Sequence, residues 1–215
     1  MPYWKRLAFG TFAGASCLFA LIAANLAAGD PLVRFDGQIT LWLHAHGTPA
    51  LTLLMLAVTH THGPLPICLY AFVTAIVLVR KREWPWLTGL ALAVPTGLLI
   101  NVLLKHLFHR ARPALDEPLV TLATYSFPSG HTAGSTLFYG FLAAYIGYRM
   151  RDKRVRAACV TVWLFMAALV GFSRVYLGVH YFSDVLAAFA WSLAWLALSL
   201  TVVHSLQSRA LATGK

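Results

Sequence analysis

Charged residues are scarce in this sequence: they make up 11% of its 215 residues, against 59% hydrophobic residues. A soluble domain carries about 25% charged residues, so this chain has too little charge to cover a soluble globule of 23.6 kDa. Intrinsic disorder is excluded as well, because disordered chains have low hydrophobicity. With a mean hydropathy of +0.69, the composition indicates that the lipid bilayer is the solvent for most of the chain.

Cysteines are few, and motifs for nucleotides and metals are missing. Cys17, Cys68 and Cys159 lie inside apolar runs without a C-x-x-C or zinc spacing, so we expect packing residues and no disulfide. No G-x-x-x-x-G-K-[ST] run and no dense carboxylate cluster is present. Pairs of histidines with ligand spacing lack a Cys, Asp or Glu to complete a site. They are His44 and His46, His60 and His62, and His106 and His109. The sequence predicts no metal and no cofactor.

Six apolar segments are long enough, or nearly so, to cross a bilayer core of about 30 Å, which takes roughly 20 helical residues. They are residues 7–27, 65–80, 86–107, 129–149, 157–173 and 185–205. No internal repeat or low-complexity segment divides the chain. We therefore predict an all-α fold, a six-transmembrane helix bundle formed by a single domain over residues 1–215.

The segment 49–64 is compatible with two structures. It could begin the second span, or it could lie at the membrane interface as an amphipathic helix. Gly63 and Pro64 indicate a break in the chain at this point. We therefore favour an interfacial helix over residues 49–62.

The net charge of +10 and the pI of about 10.0 arise from basic residues at alternate ends of the predicted spans. If the first span starts in the cytoplasm, twelve of the 17 Lys and Arg residues face that side, with only Glu83 and Asp152 among the acids. The twelve are Lys5, Arg6, Arg80, Lys81, Arg82, Arg149, Arg151, Lys153, Arg154, Arg156, Arg209 and Lys215. The positive-inside rule then places both termini in the cytoplasm. The basic excess reflects topology and contact with anionic membrane lipids, and we expect no nucleic-acid partner.

Three polar patches remain on the predicted outer face. Residues 105–113 close the third span, residues 126–131 open the fourth, and residues 173–184 join the fifth to the sixth. The acids Asp116 and Glu117 lie in a separate loop. Because the spans return the chain to the same side each time, the three patches can converge in space.

A phosphate site is the chemistry that these patches favour. Lys105, Arg112 and Arg174 stand near a predicted helix start at Ser129 and Gly130. A helix N-terminus offers free backbone N–H groups and a positive dipole end, and a glycine lets a ligand approach the backbone closely. Arg forks suit phosphate oxygens, and Lys adds a point charge. Taken singly, each cation could equally be a snorkelling membrane anchor or a member of a structural ion pair.

Two histidines stand beside this predicted site. His180 is followed four residues later by Asp184, on the same face if the stretch is helical. A carboxylate that accepts from one imidazole nitrogen fixes the tautomer and leaves the other nitrogen free to attack. His131 has no such partner in the sequence, and at a helix start it could protonate a leaving oxygen.

The three patches resemble the motifs of the type 2 phosphatidic acid phosphatases, the lipid phosphatase and haloperoxidase superfamily. The family pattern is K-x6-R-P, then P-S-G-H, then S-R-x5-H-x3-D. This sequence reads Lys105-x6-Arg112-Pro113, Pro128-Ser129-Gly130-His131 and Ser173-Arg174-x5-His180-x3-Asp184, with every motif position matched. The resemblance extends over about residues 50–205.

The resemblance implies a metal-independent membrane phosphatase with a covalent phosphohistidine. By this analogy His180 is the nucleophile, Asp184 orients it, and His131 is the acid and then the base. The phosphoryl oxygens would be held by Lys105, Arg112, Ser129, Gly130 and Arg174. The implied substrates are lipid phosphates or pyrophosphates of the undecaprenyl pyrophosphate, phosphatidic acid or phosphatidylglycerol phosphate type. We expect the enzyme in the bacterial plasma membrane, with its active site on the extracytoplasmic face.

Two other functions remain open at this level. A lipid phosphotransferase would use the same His180 and differ only in its acceptor pocket. A small membrane transporter with a basic gate is a non-enzymatic alternative, although the sequence contains no inverted repeat and no pair of broken helices. The substrate and the oligomeric state do not follow from the sequence.

The charge asymmetry yields a first prediction, on topology. A reporter that is active only in the cytoplasm should be active when fused after Lys215 and silent when inserted in the 114–124 loop. Enzymatic activity of the two fusions in whole cells is the measurement. The opposite pattern would invert the orientation and put the predicted site in the cytoplasm.

Overall fold

The computed structural model describes residues 3–28, 31–115 and 124–212. Within them the chain forms nine α-helices and one π-helical turn. The helices are α1 (Tyr3–Ala28), α2 (Pro31–Ala45), α3 (Pro49–Thr61), α4 (Pro64–Arg80), α5 (Trp84–Ala91), α6 (Gly97–Phe108), α7 (Gly130–Arg149), α8 (Lys153–Tyr176) and α9 (Phe182–Ala212). The π turn, Leu92–Thr96, joins α5 to α6.

The helix α7 lies at the centre of the bundle and contacts α4, α6, α8 and α9. Its buried face combines bulky residues such as Leu137 and Phe141 with small ones such as Gly134 and Ser135. Small residues let membrane helices approach closely, where van der Waals packing replaces the hydrophobic effect as the main attraction. The close approach of four helices to α7 brings their ends together at the end where α7 begins.

Among the described residues, four stretches are long and apolar enough to cross a membrane. They are Trp4–Ala28, Trp84–Phe108, Lys153–Tyr176 and Phe182–Ala210. The helices α3 and α4 pass the same criterion together, as a pair bent by 49° at the break between Thr61 and Pro64. The fourth predicted span, residues 129–149, corresponds to α7, whose 20 residues reach about 30 Å. It is not among the apolar stretches, because buried Thr and Ser side chains lower its hydropathy.

The ends of the elements differ from the predicted ones. The helix α8 extends the predicted span 157–173 at both ends, to Lys153 and Tyr176. The helix α4 does not lengthen the predicted span 65–80, because the bend after Thr61 separates it from α3. No element is predicted between residues 28 and 48, yet this segment contains the 15-residue helix α2. Arg34, Asp36 and Gln38 interrupt its apolar pattern.

The π turn is built around Pro95, which has no N–H to donate. The hydroxyl of Thr96 donates instead to the carbonyl of Ala91 at 3.0 Å, and the indole of Trp195 donates to the carbonyl of Leu92 at 2.8 Å. These bonds satisfy carbonyls in the wide turn, so the helix continues into α6. Its last turns then carry Lys105 to the end of the bundle.

The cysteines correct one expectation. Cys17 and Cys68 are exposed on the helix surfaces, and Cys159 is half-buried, so a packing role is wrong for the first two. All three are free thiols. Exposed apolar side chains surround them, as expected of surfaces that face hydrocarbon rather than water.

The packing of α7 yields a stability prediction. A Cβ added at Gly140 would meet the side chains of Leu196 and Trp163 at 3.0 Å or less, whereas at Gly147 the nearest neighbour is Arg156 at 3.8 Å. We expect Gly140→Ala to destabilise the fold by about 1–3 kcal/mol, the usual cost of overpacking. Gly147→Ala, on the same helix, should be neutral or stabilising by up to roughly 1 kcal/mol. Thermal unfolding in detergent measures both, and equal midpoints for the two variants would contradict the packing.

Candidate active site

The polar patches of the sequence meet at one end of the bundle. The end of α6 and the segment after it supply Lys105 and Arg112, the start of α7 supplies Ser129, and α8 ends near Arg174. His180 lies in the turn that joins α8 to α9, and Asp184 lies in the first turn of α9. Hydrogen bonds link these elements directly.

His180 is not helical, although a helix was one premise of its predicted pairing with Asp184. The turn contains Gly178 with a φ of +69°, a backbone conformation that is strained for residues with a side chain. A Cβ added at Gly178 would also clash with the side chain of Leu115. This turn holds the His180 backbone N–H 3.2 Å from the carbonyl of Arg174. The imidazole is buried, with 2% of the residue exposed.

The imidazole of His180 is oriented by the carboxylate of Asp184. Its Nδ1 lies 3.2 Å from Asp184 Oδ2, which also accepts the hydroxyl of Ser126 and the backbone N–H of Tyr181 at 3.0 Å. The proton of a neutral imidazole therefore belongs on Nδ1, and the lone pair on Nε2. Burial lowers the pKa of His180, and the hydrogen bond with Asp184 raises it. Burial is the larger effect, and the resulting pKa is about 3. The imidazole is neutral at pH 7.

Arg112 stands next to the free nitrogen of His180. Its Nη1 lies 3.3 Å from His180 Nε2 and donates to the carbonyl of Val179 at 2.6 Å. Its Nε and Nη2 donate to the carbonyl and hydroxyl of Thr124 at 2.7 and 2.9 Å. Burial lowers the pKa of Arg112, and the negative charge of Asp184 partly offsets this decrease. The guanidinium nevertheless stays charged at pH 7. The fork is thus fixed by uncharged groups, and its charge is left for another partner.

Lys105 is held by the segment before α7. Its Nζ donates to the carbonyls of Tyr125 at 2.5 Å and Ser126 at 3.2 Å. One turn earlier on α6, Asn101 donates to the carbonyl of Pro128 at 3.4 Å and accepts from the indole of Trp191 at 3.2 Å. An ammonium has three donors, so one N–H of Lys105 remains for a ligand.

Arg174 is a buried cation with incomplete pairing. Only 2% of it is exposed, its Nη1 donates to the hydroxyl of Thr59 on α3, and its Nε has no hydrogen-bond partner in the described part of the chain. No carboxylate in residues 3–28, 31–115 or 124–212 forms an ion pair with it. A buried charge without a counter-charge is costly, so this position favours binding of an anion.

The start of α7 completes the constellation. Ser129 is the N-cap without a side-chain capping bond, so the first N–H groups of the helix are open to a ligand. A Cβ added at Gly130 would face Asn101 at 3.4 Å and Lys105 at 4.0 Å, which is ordinary contact. The imidazole of His131 lies beside the break between α3 and α4, its Nε2 3.4 Å from a Cβ placed on Gly63.

Four residues that contact the predicted site residues or one another are not among those that the motifs predict. Arg110 and Ser126 lie inside the patches but off the motif positions, and both contact Asp184. Thr59 contacts Arg174, and Asp36 contacts Arg110. No signal pointed to Asp36, because its helix was not predicted. The predicted separate loop with Asp116 and Glu117 lies outside the described residues.

The remaining histidines make local contacts. His62 bonds to the hydroxyl of Tyr139 at 2.8 Å and His46 to the carbonyl of Trp42 at 2.8 Å. His106 and His109 are exposed, and both rings contact Tyr125. In the described ranges no three His, Cys, Asp or Glu side chains are grouped as metal ligands would be.

Known proteins of one family are similar to this chain in sequence and in fold. The family model of the PAP2 superfamily matches residues 84–208. A phosphatidylglycerophosphatase B of Bacillus subtilis is 34% identical over 82% of this chain and 87% of its own length. An undecaprenyl-diphosphatase of the same organism is 35% identical over 47% of each chain. The crystal structure of a PAP2-type phosphatidylglycerolphosphate phosphatase from Bacillus subtilis superposes with a TM-score of 0.80 at 27% identity, covering 89% of this chain and 94% of that one.

The chain therefore belongs to the PAP2 superfamily. It is an enzyme, a phosphatase, and an integral membrane protein.

Proposed function

We propose that this phosphatase hydrolyses lipid phosphates or lipid diphosphates through a phosphohistidine on His180. The observation that carries the proposal is a buried imidazole whose Nδ1 faces Asp184 and whose Nε2 faces Arg112, beside cations that lack a counter-charge. Arg112 lies 3.3 Å from this nitrogen, and Arg174 keeps an unpartnered Nε. A phosphoryl group bound by these cations presents its phosphorus to the nucleophile.

In the first step His180 Nε2 attacks phosphorus and the bond from phosphorus to the leaving oxygen breaks. His131, protonated when the bound phosphate dianion offsets the surrounding cations, donates its proton to that oxygen, so the lipid departs as an alcohol or as a phosphate. The new P–N bond leaves positive charge on the imidazole, which the Asp184 carboxylate stabilises. Lys105, Arg112, Arg174 and the N–H groups after Ser129, including that of Gly130, hold the phosphoryl oxygens.

In the second step water hydrolyses the phosphohistidine. His131, now neutral, takes a proton from the water as its oxygen attacks phosphorus. The P–N bond breaks, inorganic phosphate is released, and His180 recovers its lone pair. The protons balance over the cycle, and the step calls for no metal or other cofactor.

A neighbouring cavity supports a lipid as the substrate. It has a volume of about 830 Å³, lies between α2, α8 and α9, and is lined almost wholly by apolar side chains, among them Trp42, Phe172 and Phe189. Thr132 belongs to its wall and also donates to the Ser129 hydroxyl at 3.0 Å. A hydrocarbon chain in the cavity would therefore have its phosphate at the start of α7.

The relatives narrow the substrate class. Phosphatidylglycerophosphatase and undecaprenyl-diphosphatase act on a phosphomonoester and a diphosphate of membrane lipids, as their names state. We propose a substrate of the phosphatidylglycerol phosphate, phosphatidic acid or undecaprenyl pyrophosphate type. The charge asymmetry supports six spans, cytoplasmic termini and an active site on the outer face of the bacterial plasma membrane.

The function is tested by phosphate release from a panel of lipid phosphates in detergent, with EDTA present. We expect release from at least one lipid of the panel, with one phosphate formed for each lipid consumed, and none from His180→Ala. Lipid consumed without phosphate release would identify a phosphotransferase. Activity abolished by EDTA and restored by a metal would contradict the mechanism.

Arg174 should be intolerant of lysine. A planar fork can bind two phosphoryl oxygens while it keeps its bond to Thr59, and an ammonium cannot reproduce that geometry. We expect Arg174→Lys to lower kcat/KM tenfold or more, which is at least about 1.4 kcal/mol of transition-state stabilisation. Arg154→Lys, an exposed position near the other end of α8, is the matched control and should keep full activity. Full activity in Arg174→Lys would reduce that residue to a structural anchor.

The two histidines should differ in their dependence on the leaving group. A glycerol alkoxide is a poor leaving group that needs a proton in the transition state, whereas a phosphate needs it less. His131→Ala should therefore lose more activity on a phosphatidic acid than on a lipid pyrophosphate. His180→Ala should lose both equally and trap no labelled phosphate.

Kinetics on the two substrates and acid-quenched labelling of the protein are the measurements. Equal losses in His131→Ala, or labelled phosphate on His180→Ala, would overturn the assignment of roles.

A further inference from the structure

We propose that Asp36 and Arg110 are positioning residues for the reaction: Asp36 fixes the Arg110 fork, and the fork holds Asp184 in place against His180. The inference builds on the proposed function, in which Asp184 orients the nucleophile. Neither residue belongs to the motifs, and Asp36 comes from a helix that the sequence did not predict.

The contacts form a continuous chain from α2 to the nucleophile. Arg110 Nη2 donates to Asp36 Oδ2 at 2.8 Å, and Arg110 Nη1 donates to Asp184 Oδ1 at 2.5 Å. Asp184 Oδ2 in turn lies 3.2 Å from His180 Nδ1. One guanidinium thus bridges two carboxylates through two different nitrogens, which only its planar fork allows.

Arg110 donates to a different oxygen of Asp184 than the other hydrogen-bond donors do. His180, Ser126 and the backbone N–H of Tyr181 all use Oδ2. Arg110 is the donor to Oδ1 among the described residues. Holding both oxygens fixes the rotation of the carboxylate, and with it the direction from Oδ2 to His180 Nδ1.

Asp36 makes this bridge compatible with catalysis. An Arg110 charge paired with Asp184 alone would neutralise the carboxylate that must stabilise the imidazole when it becomes positive. Asp36 shares that charge, so the group of two carboxylates and one guanidinium keeps a net negative charge beside His180. All three are buried, with exposures of 0% for Asp36 and Asp184 and 8% for Arg110, so water screens these interactions little.

The position of Asp36 is itself fixed by α9. Ser183, next to Asp184, donates its backbone N–H to Asp36 Oδ1 at 2.9 Å, and its hydroxyl contacts Asp36 Oδ2. The ring of Tyr181 covers the Arg110 guanidinium at 4.1 Å. These contacts leave the Arg110 fork a single arrangement.

A merely structural role for Asp36, anchoring α2 to the bundle, makes a different prediction from positioning. The test is a double-mutant cycle with Asp36→Asn, Asp184→Asn and the double variant, with kcat and KM measured on one lipid phosphate. We expect Asp36→Asn to lower kcat about tenfold with KM changed less than about twofold. In the Asp184→Asn background the same change should add less than about twofold, because its effect passes through Asp184. Losses that multiply, or a rise in KM alone, would overturn the proposal.

Two further variants keep the test decisive if Asp36→Asn does not fold. Arg110→Lys retains a cation but offers no fork for two carboxylates, so its kcat should fall about tenfold or more while its thermal midpoint stays near that of the wild type. Full kcat in Arg110→Lys would overturn the proposal. Thr40→Val removes a buried hydroxyl of α2 that donates to the backbone carbonyl of Asp36 at 2.9 Å, and it leaves the Asp36 carboxylate in place. It is the control for α2 packing and should keep its kcat.

Trapping of labelled phosphate separates the two levels of inference. Wild-type protein that releases phosphate but traps none on His180 would contradict the proposed intermediate. The coupling between Asp36 and Asp184 is read from kcat, and it decides the positioning role whichever intermediate forms.

Discussion

Buried positive charge without enough negative charge is the constraint on which the site depends. Lys105 and Arg174 are buried, Arg112 is half-buried beside them, and each donates to uncharged oxygens instead of a carboxylate of its own. The buried carboxylates nearby, Asp184 and Asp36, are shared with Arg110. Such an arrangement is expensive when empty, because desolvated charges repel each other and lose their hydration. A bound phosphate relieves it, and a transition state with more charge on its oxygens relieves it further.

The apolar core of the helix bundle provides the stability that keeps these charged residues together. Leu137 of α7 packs against Gly97 of α6, and Phe141 of α7 packs against Gly89 and Trp86 of α5. Because these apolar contacts fix the helix ends, the polar residues at the ends need not stabilise the fold themselves. The π turn around Pro95 also contributes to this positioning, because it continues α5 into α6 and so places Lys105 at the site.

The long helices and the motif residues could be predicted from the sequence, whereas the helix α2 and its contacts with the site could not. Periodic apolar runs located the long helices, and the three motifs located the phosphatase chemistry, because both depend on local patterns. The helix α2 was missed because Arg34, Asp36 and Gln38 break its apolar pattern, and the role of Asp36 appears only when a partner 74 residues away, Arg110, is placed beside it. The 49° bend between α3 and α4 was signalled by Gly63 and Pro64, but the contact of Thr59 with Arg174 was not. Polar pairs between residues far apart in the chain produce no recognisable pattern in a single sequence.

The short segment 124–126 links the two halves of the proposed mechanism. Its carbonyls accept from Arg112 and Lys105, which belong to the proposed phosphate grip, and the Ser126 hydroxyl donates to Asp184, which orients the proposed nucleophile. A displacement of this segment would therefore loosen the cations and rotate the carboxylate at once. Because the segment continues through Phe127 and Pro128 to Ser129, the N-cap of α7, it also sets where the helix N-terminus points. In the proposed mechanism, binding of the phosphoryl group and orientation of His180 would in this way be coupled through one piece of backbone, so that a correctly bound substrate meets a correctly aligned nucleophile.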